Sequence, residues 1–402
     1  MKRLLINSLM VFASLAFAAG AGTSSTVFER SDLNSPESTK KLEDKVGWKF
    51  GYRIPSLLIT QQGTVLAFAD RRKISKDQKV GATLPDTGIP TDIALKRSLD
   101  GGLTWQAEQL IFSADNCNYH GELTVTDAKT RRIFKFARRN PLGEGDEAKS
   151  PEKDLTNQEY QAKGFGDYFV TSDDDGQHWS APLPAAIPYP AEATNCSLCN
   201  GVHGIQLAGG RMLIVGKYTL TAKGGKSESY TQVFHSDDCG KSWQQGVAIK
   251  PIGSNLEVVM AKTDEHTLLL NHRPAGSKHD ADSARNSNLI GKDGDELIQA
   301  NANRLYAAVC HAGMTSQSSD KTPYKLFLTA PNASLKANTN ALRRQNLTLF
   351  SSHDSGATWT SELILDKDFS GYSDLQFTRD GTLLCLYEAG DHTKSIKCCR
   401  LK

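Results

Sequence analysis

The chain alternates short apolar runs with polar, turn-forming breaks. Runs at Ser56–Thr60, Val65–Ala69, Ile133–Ala137, Arg211–Val215, Thr267–Leu270, Lys325–Leu328 and Leu383–Tyr387 are each four or five residues long. Gly, Asp and Asn punctuate them, as they do strands joined by tight turns. No stretch sustains the roughly 3.6-residue apolar period of a long amphipathic helix. The pattern predicts an all-β protein. One apolar segment is of another kind. Leu4 to Ala19 is interrupted only by Asn7, Ser8 and Ser14, follows Lys2 and Arg3, and leads into Gly20 and Ala21. It reads as an export signal over residues 1–21, with an uncleaved N-terminal anchor as the alternative. No cysteine follows the run, which argues against a lipoprotein anchor. Residues 22–46 are polar and are expected to form a flexible leader; residues 47–402 are expected to form one β-domain.

A degenerate repeat organises that domain. SLDGGLTW (Ser98–Trp105), SDDDGQHW (Ser172–Trp179), SDDCGKSW (Ser236–Trp243) and SHDSGATW (Ser352–Trp359) share Ser-x-Asp-x-Gly-x-x-Trp and hold four of the five tryptophans. In such a motif Gly supplies the turn conformation other residues resist, and Ser and Asp accept backbone N–H groups. Trp packs beneath the turn. These residues read as structural. The acidic run Asp173–Asp175 lacks the ligand spacing of a calcium loop. The aspartates at 100, 174, 238 and 354 are separated by 74, 64 and 116 residues, and the last gap accommodates two units, one without the motif. A repeat of several strands per unit points to a β-propeller.

Composition narrows the functions available. Without Lys2 and Arg3 the chain carries 45 basic and 45 acidic residues. A neutral chain has no polyelectrolyte reason to bind nucleic acid. An anionic ligand must then be held by a local arginine cluster. The eight cysteines include Cys196-x-x-Cys199 with His203 nearby, but no second half of a zinc site follows, so a disulfide or free thiols are favoured.

Several strings carry candidate chemistry: YRIPSLL (Tyr52–Leu58), LAFADRRK (Leu66–Lys73), DTGIPTDIALKRS (Asp86–Ser98), SNLEVV (Ser254–Val259), LLLNHR (Leu268–Arg273), RRQNLTLF (Arg343–Phe350), FSGYSDLQF (Phe369–Phe377) and LLCLYEAG (Leu383–Gly390). Their order resembles that of the exo-α-sialidases, glycoside hydrolase family 33 and relatives. The tryptophan repeat resembles the aspartate box (BNR repeat) of that superfamily. The resemblance covers about Gly47 to Arg400. Departures are a long loop between Arg72 and Asp92, insertions near Gly143–Gln161 and His279–Glu296, and the Cys196–Cys199 pair.

The resemblance implies a six-bladed propeller that removes terminal sialic acids from glycans. A sialoside bears a carboxylate on its anomeric carbon. That anion calls for arginines, whose fork of donors stays charged. It would repel a carboxylate nucleophile, and tyrosine is the sialidase exception to the two-carboxylate scheme. By resemblance, Arg53, Arg273 and Arg344 (or Arg343) form the clamp. By the same resemblance Arg72 is an accessory arginine, with Arg71 the alternative, and since alternate strand residues face opposite sides only one of the two enters the site. Asp86, or alternatively Asp77, is the general acid. Tyr372 is the nucleophile, Glu257 its base, and Glu388 orients Arg53. No metal or organic cofactor is implied. The expected partners are sialylated glycans, with no nucleic acid and no membrane span after signal cleavage, and the chain is expected to be a monomer. A non-catalytic sialoglycan-binding propeller, an acidic-polysaccharide lyase and a trans-sialidase are the competing readings.

Overall fold

The computed structural model describes residues 22–31, 49–74, 84, 89–114, 116–121, 123–142, 155–198, 203–222, 225–250, 254–274, 284–299, 305–319, 322–332, 344–391 and 393–402. The first strand, β1 (Thr23–Glu29), belongs to the last blade. Blade 1 is β2 (Lys49–Ile59), β3 (Val65–Ile74), β4 (Thr91–Ser98) and β5 (Gln109–Phe112). Blade 2 begins with two short inner strands, β6 (Cys117–His120) and β7 (Thr124–Thr126), followed by β8 (Ile133–Pro141), β9 (Gly166–Ser172) and β10 (Leu183–Pro184). A short helix, α1 (Asn157–Ala162), lies between β8 and β9. In blade 3, β11 (Thr194–Ser197) and β12 (Ile205–Gln206) pair with β13 (Met212–Thr221), followed by β14 (Ser227–Ser236) and β15 (Gln244–Ile249). Blade 4 is β16 (Ser254–Lys262), β17 (Leu268–Pro274), β18 (Ala284–Gly291) and β19 (Glu296–Gln299), with β20 (Leu305–Tyr306) also on β18. Blade 5 has β21 (Gly313–Ser319), β22 (Thr322–Pro331), β23 (Gln345–Ser352) and the first half of the long β24 (Thr360–Phe377). The second half of β24 opens blade 6, followed by β25 (Leu383–Ala389), β26 (Ser395–Leu401) and β1.

The six-bladed propeller holds together through six hydrophobic layers, one between each pair of neighbouring blades. Leu57, Val65 and Ala67 of blade 1 meet Phe28, Leu384 and Ile396 of blade 6. Equivalent layers join blades 1 and 2, 2 and 3, 3 and 4, 4 and 5, and 5 and 6. The fifth and sixth blades share β24, and the ring is closed where β1, which precedes blade 1, pairs with β26 to complete blade 6.

That closure corrects the expected leader. Thr23–Glu29 is a strand, paired antiparallel with β26 from Thr23↔Arg400 to Glu29↔Ser395. It looks polar in sequence because the outermost strand of a blade shows one face to solvent, while Val27 and Phe28 are buried. Pairing it removes an open edge from β26. Residues 1–21, the expected signal, and 32–46, the rest of the expected leader, lie outside the described residues.

The tryptophan repeats occupy the turns between third and fourth strands. In each, the Ser hydroxyl bonds the Asp carboxylate and accepts the Gly N–H, as at Ser236 with Asp238 (2.8 Å) and Gly240 (2.9 Å). The Gly and the residue before it both have positive φ, 80° and 62° at Gly240 and Cys239. The sequence placed the Trp beneath its own turn. The structure shows it reaching the preceding blade as well: Trp179 packs edge-on against Phe68, and Trp243 against Phe136. The repeat thus fastens one blade to the next.

Candidate active site

Arg53, Arg273, Arg344, Glu257, Tyr372 and Glu388 meet in one cluster, and backbone irregularities in the strands that carry them aim several of them. On β2 the pairing with β3 slips between Arg53 and Ser56, and Ile54 takes a φ of 57°. A β-branched residue resists that conformation, so something must hold it. Glu388 on β25 does. Its Oε1 accepts from Ile54 N–H and from Arg53 Nε, each at 3.0 Å, and its Oε2 accepts from Tyr372 N–H at 3.1 Å. On β16 the register shifts between Ser254 and Val258, around Glu257. On β24 it shifts between Ser370 and Ser373, around Tyr372, where Gly371 leaves room for the Glu388 carboxylate. Bulges re-aim side chains in this way at the ends of sheets.

The result is a convergence on one phenol. The guanidinium carbons of Arg53, Arg344 and Arg273 lie 5.4, 5.5 and 5.9 Å from the centre of the Tyr372 ring. The Tyr372 hydroxyl is 2.8 Å from Glu257 Oε1, and Arg273 Nη1 reaches both the same oxygen (2.6 Å) and the hydroxyl (2.8 Å). Arg344 also donates to the Val309 carbonyl at 3.3 Å. Side chains flanking Tyr372 pin it from two sides. Ser373 accepts Gly313 N–H at 3.2 Å in blade 5, and Asp374 accepts Leu57 N–H at 2.7 Å in blade 1.

Charge balance follows from this packing. Burial works to raise the Glu257 carboxyl, but the Arg273 charge, the neighbouring His311 and hydrogen bonds from Arg273 and Tyr372 outweigh it, and the carboxyl titrates below the usual glutamate value. Glu388 behaves alike: burial opposes ionisation, and Arg53, Arg344 and two backbone N–H groups override it. Both are carboxylates at neutral pH, one set among the arginines and one behind them.

Arg72 sits on the next strand. It is buried, 3.4 Å from Asp70 and bonded to the Leu84 carbonyl at 3.3 Å. Asp70 stands directly opposite Arg53 in the β2–β3 pairing, so Arg72 shares that face. Arg71 turns the other way, to Asp92 (3.2 Å), Glu108 (3.1 Å) and the Phe50 ring. Asp77, Asp86 and Arg343 lie outside the described residues. So does Cys199; Cys196 is a buried free thiol, pushed up to about 12 by burial, and His203 pairs with Asp374 at 3.2 Å.

Three residues near the site were not singled out in sequence. Asp70 could have been found, two positions before Arg72 and so on the same strand face. His120, 2.7 Å from Asp70, and His311, whose ring lies 5.3 Å from that of Tyr372, carry no local pattern that marks them.

Comparison with known proteins assigns the architecture to a family. The BNR repeat-like domain model matches residues 86–385, most of the chain. This chain belongs to the BNR repeat-like domain family. Among curated relatives, a sialidase of Micromonospora viridifaciens is 25% identical over 353 residues, covering 84% of this chain and 50% of that protein. A sialidase of Bacteroides fragilis is 26% identical over 372 residues, covering 87% of this chain and 62% of its own length. The chain therefore spans about half to three-fifths of these BNR-repeat relatives. Among solved structures, a Hadza microbial sialidase superposes with a TM-score of 0.69 at 21% identity, covering 88% of this chain and 66% of that one. The intramolecular trans-sialidase of Ruminococcus gnavus, solved with oseltamivir carboxylate, gives 0.61 at 18%, covering 87% and 94%.

Proposed function

We propose that this protein is an exo-α-sialidase that hydrolyses terminal α-ketosidically linked sialic acids from glycoproteins, glycolipids and oligosaccharides. The observation that carries the reading is the phenol–carboxylate contact of 2.8 Å lying among three guanidinium groups. Such a cluster suits a substrate with an anion on its reacting carbon.

Arg53, Arg273 and Arg344 bind the sialate carboxylate, and Arg72 contacts the sugar from the side. Tyr372 loses its proton to Glu257 and attacks the anomeric carbon. The three positive charges stabilise the developing phenolate. Asp86 (or Asp77) protonates the leaving glycosidic oxygen as the C–O bond breaks. Water, deprotonated by the same aspartate, then displaces Tyr372, which recovers its proton from Glu257 as sialic acid leaves with retained configuration. A glycan-binding propeller without catalysis would need the arginines but neither the phenol nor its base. The basic and apolar N-terminal segment of the sequence supports export to the periplasm or beyond, where the protein would act on glycans.

The test is Tyr372→Phe assayed on a fluorogenic sialoside. A loss of about 100-fold or more in kcat is expected; near-normal turnover removes Tyr372 from the mechanism. NMR of the products from 3′- and 6′-sialyllactose reads linkage preference, anomeric outcome and any intramolecular transfer.

A further inference from the structure

We propose that His311 is a positioning residue, whose imidazole holds the Glu257 carboxylate and the Tyr372 phenol aligned for proton transfer between them. The proposal rests on the sialidase reading and extends it to a residue that the chemistry above does not use.

His311 lies on the stretch between β20 and β21 and is 1% exposed. Its ring packs on that of Tyr372, with centroids 5.3 Å apart and planes tilted by 44°. Its Nδ1 is 3.8 Å from Glu257 Oε2, the oxygen on the far side from the phenol. Glu257 Oε1 meanwhile accepts from both Tyr372 and Arg273. The carboxylate is therefore bonded at one end by Arg273 and Tyr372 and flanked at the other by the His311 ring, which at 3.8 Å is a packing neighbour rather than a direct hydrogen-bond partner. To take the phenol proton, Oε1 must keep its place while Arg273 pulls on the same atom.

The ring suits this task because it adds no charge. Burial, with Arg285 and Arg273 nearby, outweighs the attraction of Glu257 and Glu388 and holds its pKa down at about 4. The groups facing it are Glu257, Arg273, Arg285, Tyr372 and Glu388, from five different strands. A cation at this position would compete with the phenol proton for Glu257 and weaken it as a base.

The experiment compares the full-length wild type with His311→Leu and His311→Gln. It measures kcat and KM on a fluorogenic sialoside, Ki for a sialic acid glycal, and melting temperature. His311→Leu should lower kcat about 30- to 100-fold and leave KM and Ki within about threefold, because the arginines that bind the carboxylate are untouched. His311→Gln, with a polar side chain of similar reach, should recover at least about tenfold of that loss. A leucine variant with kcat within about threefold of wild type overturns the proposal. So does a Ki that worsens in step with kcat, which is the mark of a merely structural role. If His311→Leu does not fold, His311→Met, equally without a hydrogen-bonding nitrogen, takes its place under the same criteria. A wild type inactive on every sialoside overturns the sialidase reading and this proposal with it, whereas an active wild type indifferent to His311 overturns the proposal alone.

Discussion

Replacing Glu388 with glutamine keeps the shape of the side chain and removes its charge. Glu388 is fully buried and accepts three N–H groups, two on Oε1 and one on Oε2. An amide has only one oxygen. If that oxygen stays with Arg53 and Ile54, its NH2 faces the Tyr372 N–H, and a buried donor loses its acceptor at a cost of about 1–3 kcal/mol. The Arg53 bond loses its charge assistance, about 1 kcal/mol more. The sum, about 3 kcal/mol, corresponds to a fall of about 5 °C in melting temperature for a chain of this size. Arg53 also loses the partner that aims it, so kcat/KM should drop about 10- to 100-fold. The pH dependence gives a second reading. The folded-state pKa of Glu388 is lowered, so its stabilisation is present above the ordinary value of 4.5 and is lost as pH falls through the folded value. Glu388→Gln should therefore narrow its stability deficit in acid. Differential scanning calorimetry between pH 7 and pH 3, with kinetics at neutral pH, makes the check. An unchanged melting temperature together with an unchanged kcat/KM refutes the view that Glu388 holds the Arg53 bulge.

Other consequences are open to measurement. Gly240→Ala should cost about 2–4 kcal/mol, because a Cβ there would stand 2.5 Å from Phe134 Cζ of the preceding blade on top of a φ of 80°. Gly225→Ala, also at positive φ but with nothing within 4 Å, should cost only about 1 kcal/mol, and thermal unfolding separates the two. His272 is buried and, chiefly through burial, titrates near 4 rather than 6.5. The unfolded chain therefore binds its proton first, and stability should fall by up to about 3 kcal/mol as pH drops through that interval. Urea midpoints measured across that range test this, and His272→Gln should flatten the slope.

The legible part of the fold has a physical signature. Six of the seven apolar runs noticed in sequence fall on the second strands of the six blades: β3, β8, β13, β17, β22 and β25. These strands are covered by a neighbouring blade on each face, so they read as continuous apolar stretches. The turn repeats were legible because their chemistry is local. What stayed hidden was chemistry assembled over distance. β1 resembled a loose leader, since its partner lies at the other end of the chain. Tyr372, Glu257 and the arginines could be ordered along the chain, but their meeting depends on strand slips that no composition announces. His311 touches its neighbours only through the tertiary fold.

The pairing of Thr23 with Arg400 also sets a timetable for assembly. The first strand of the propeller waits for β26, so the ring cannot shut until synthesis has passed Leu401. Five blades can begin to condense earlier, but the sixth gains its outer strand only when β26 is available. Tyr372 stands in the inner strand of that blade, so on the sialidase reading activity should appear only once blade 6 is complete.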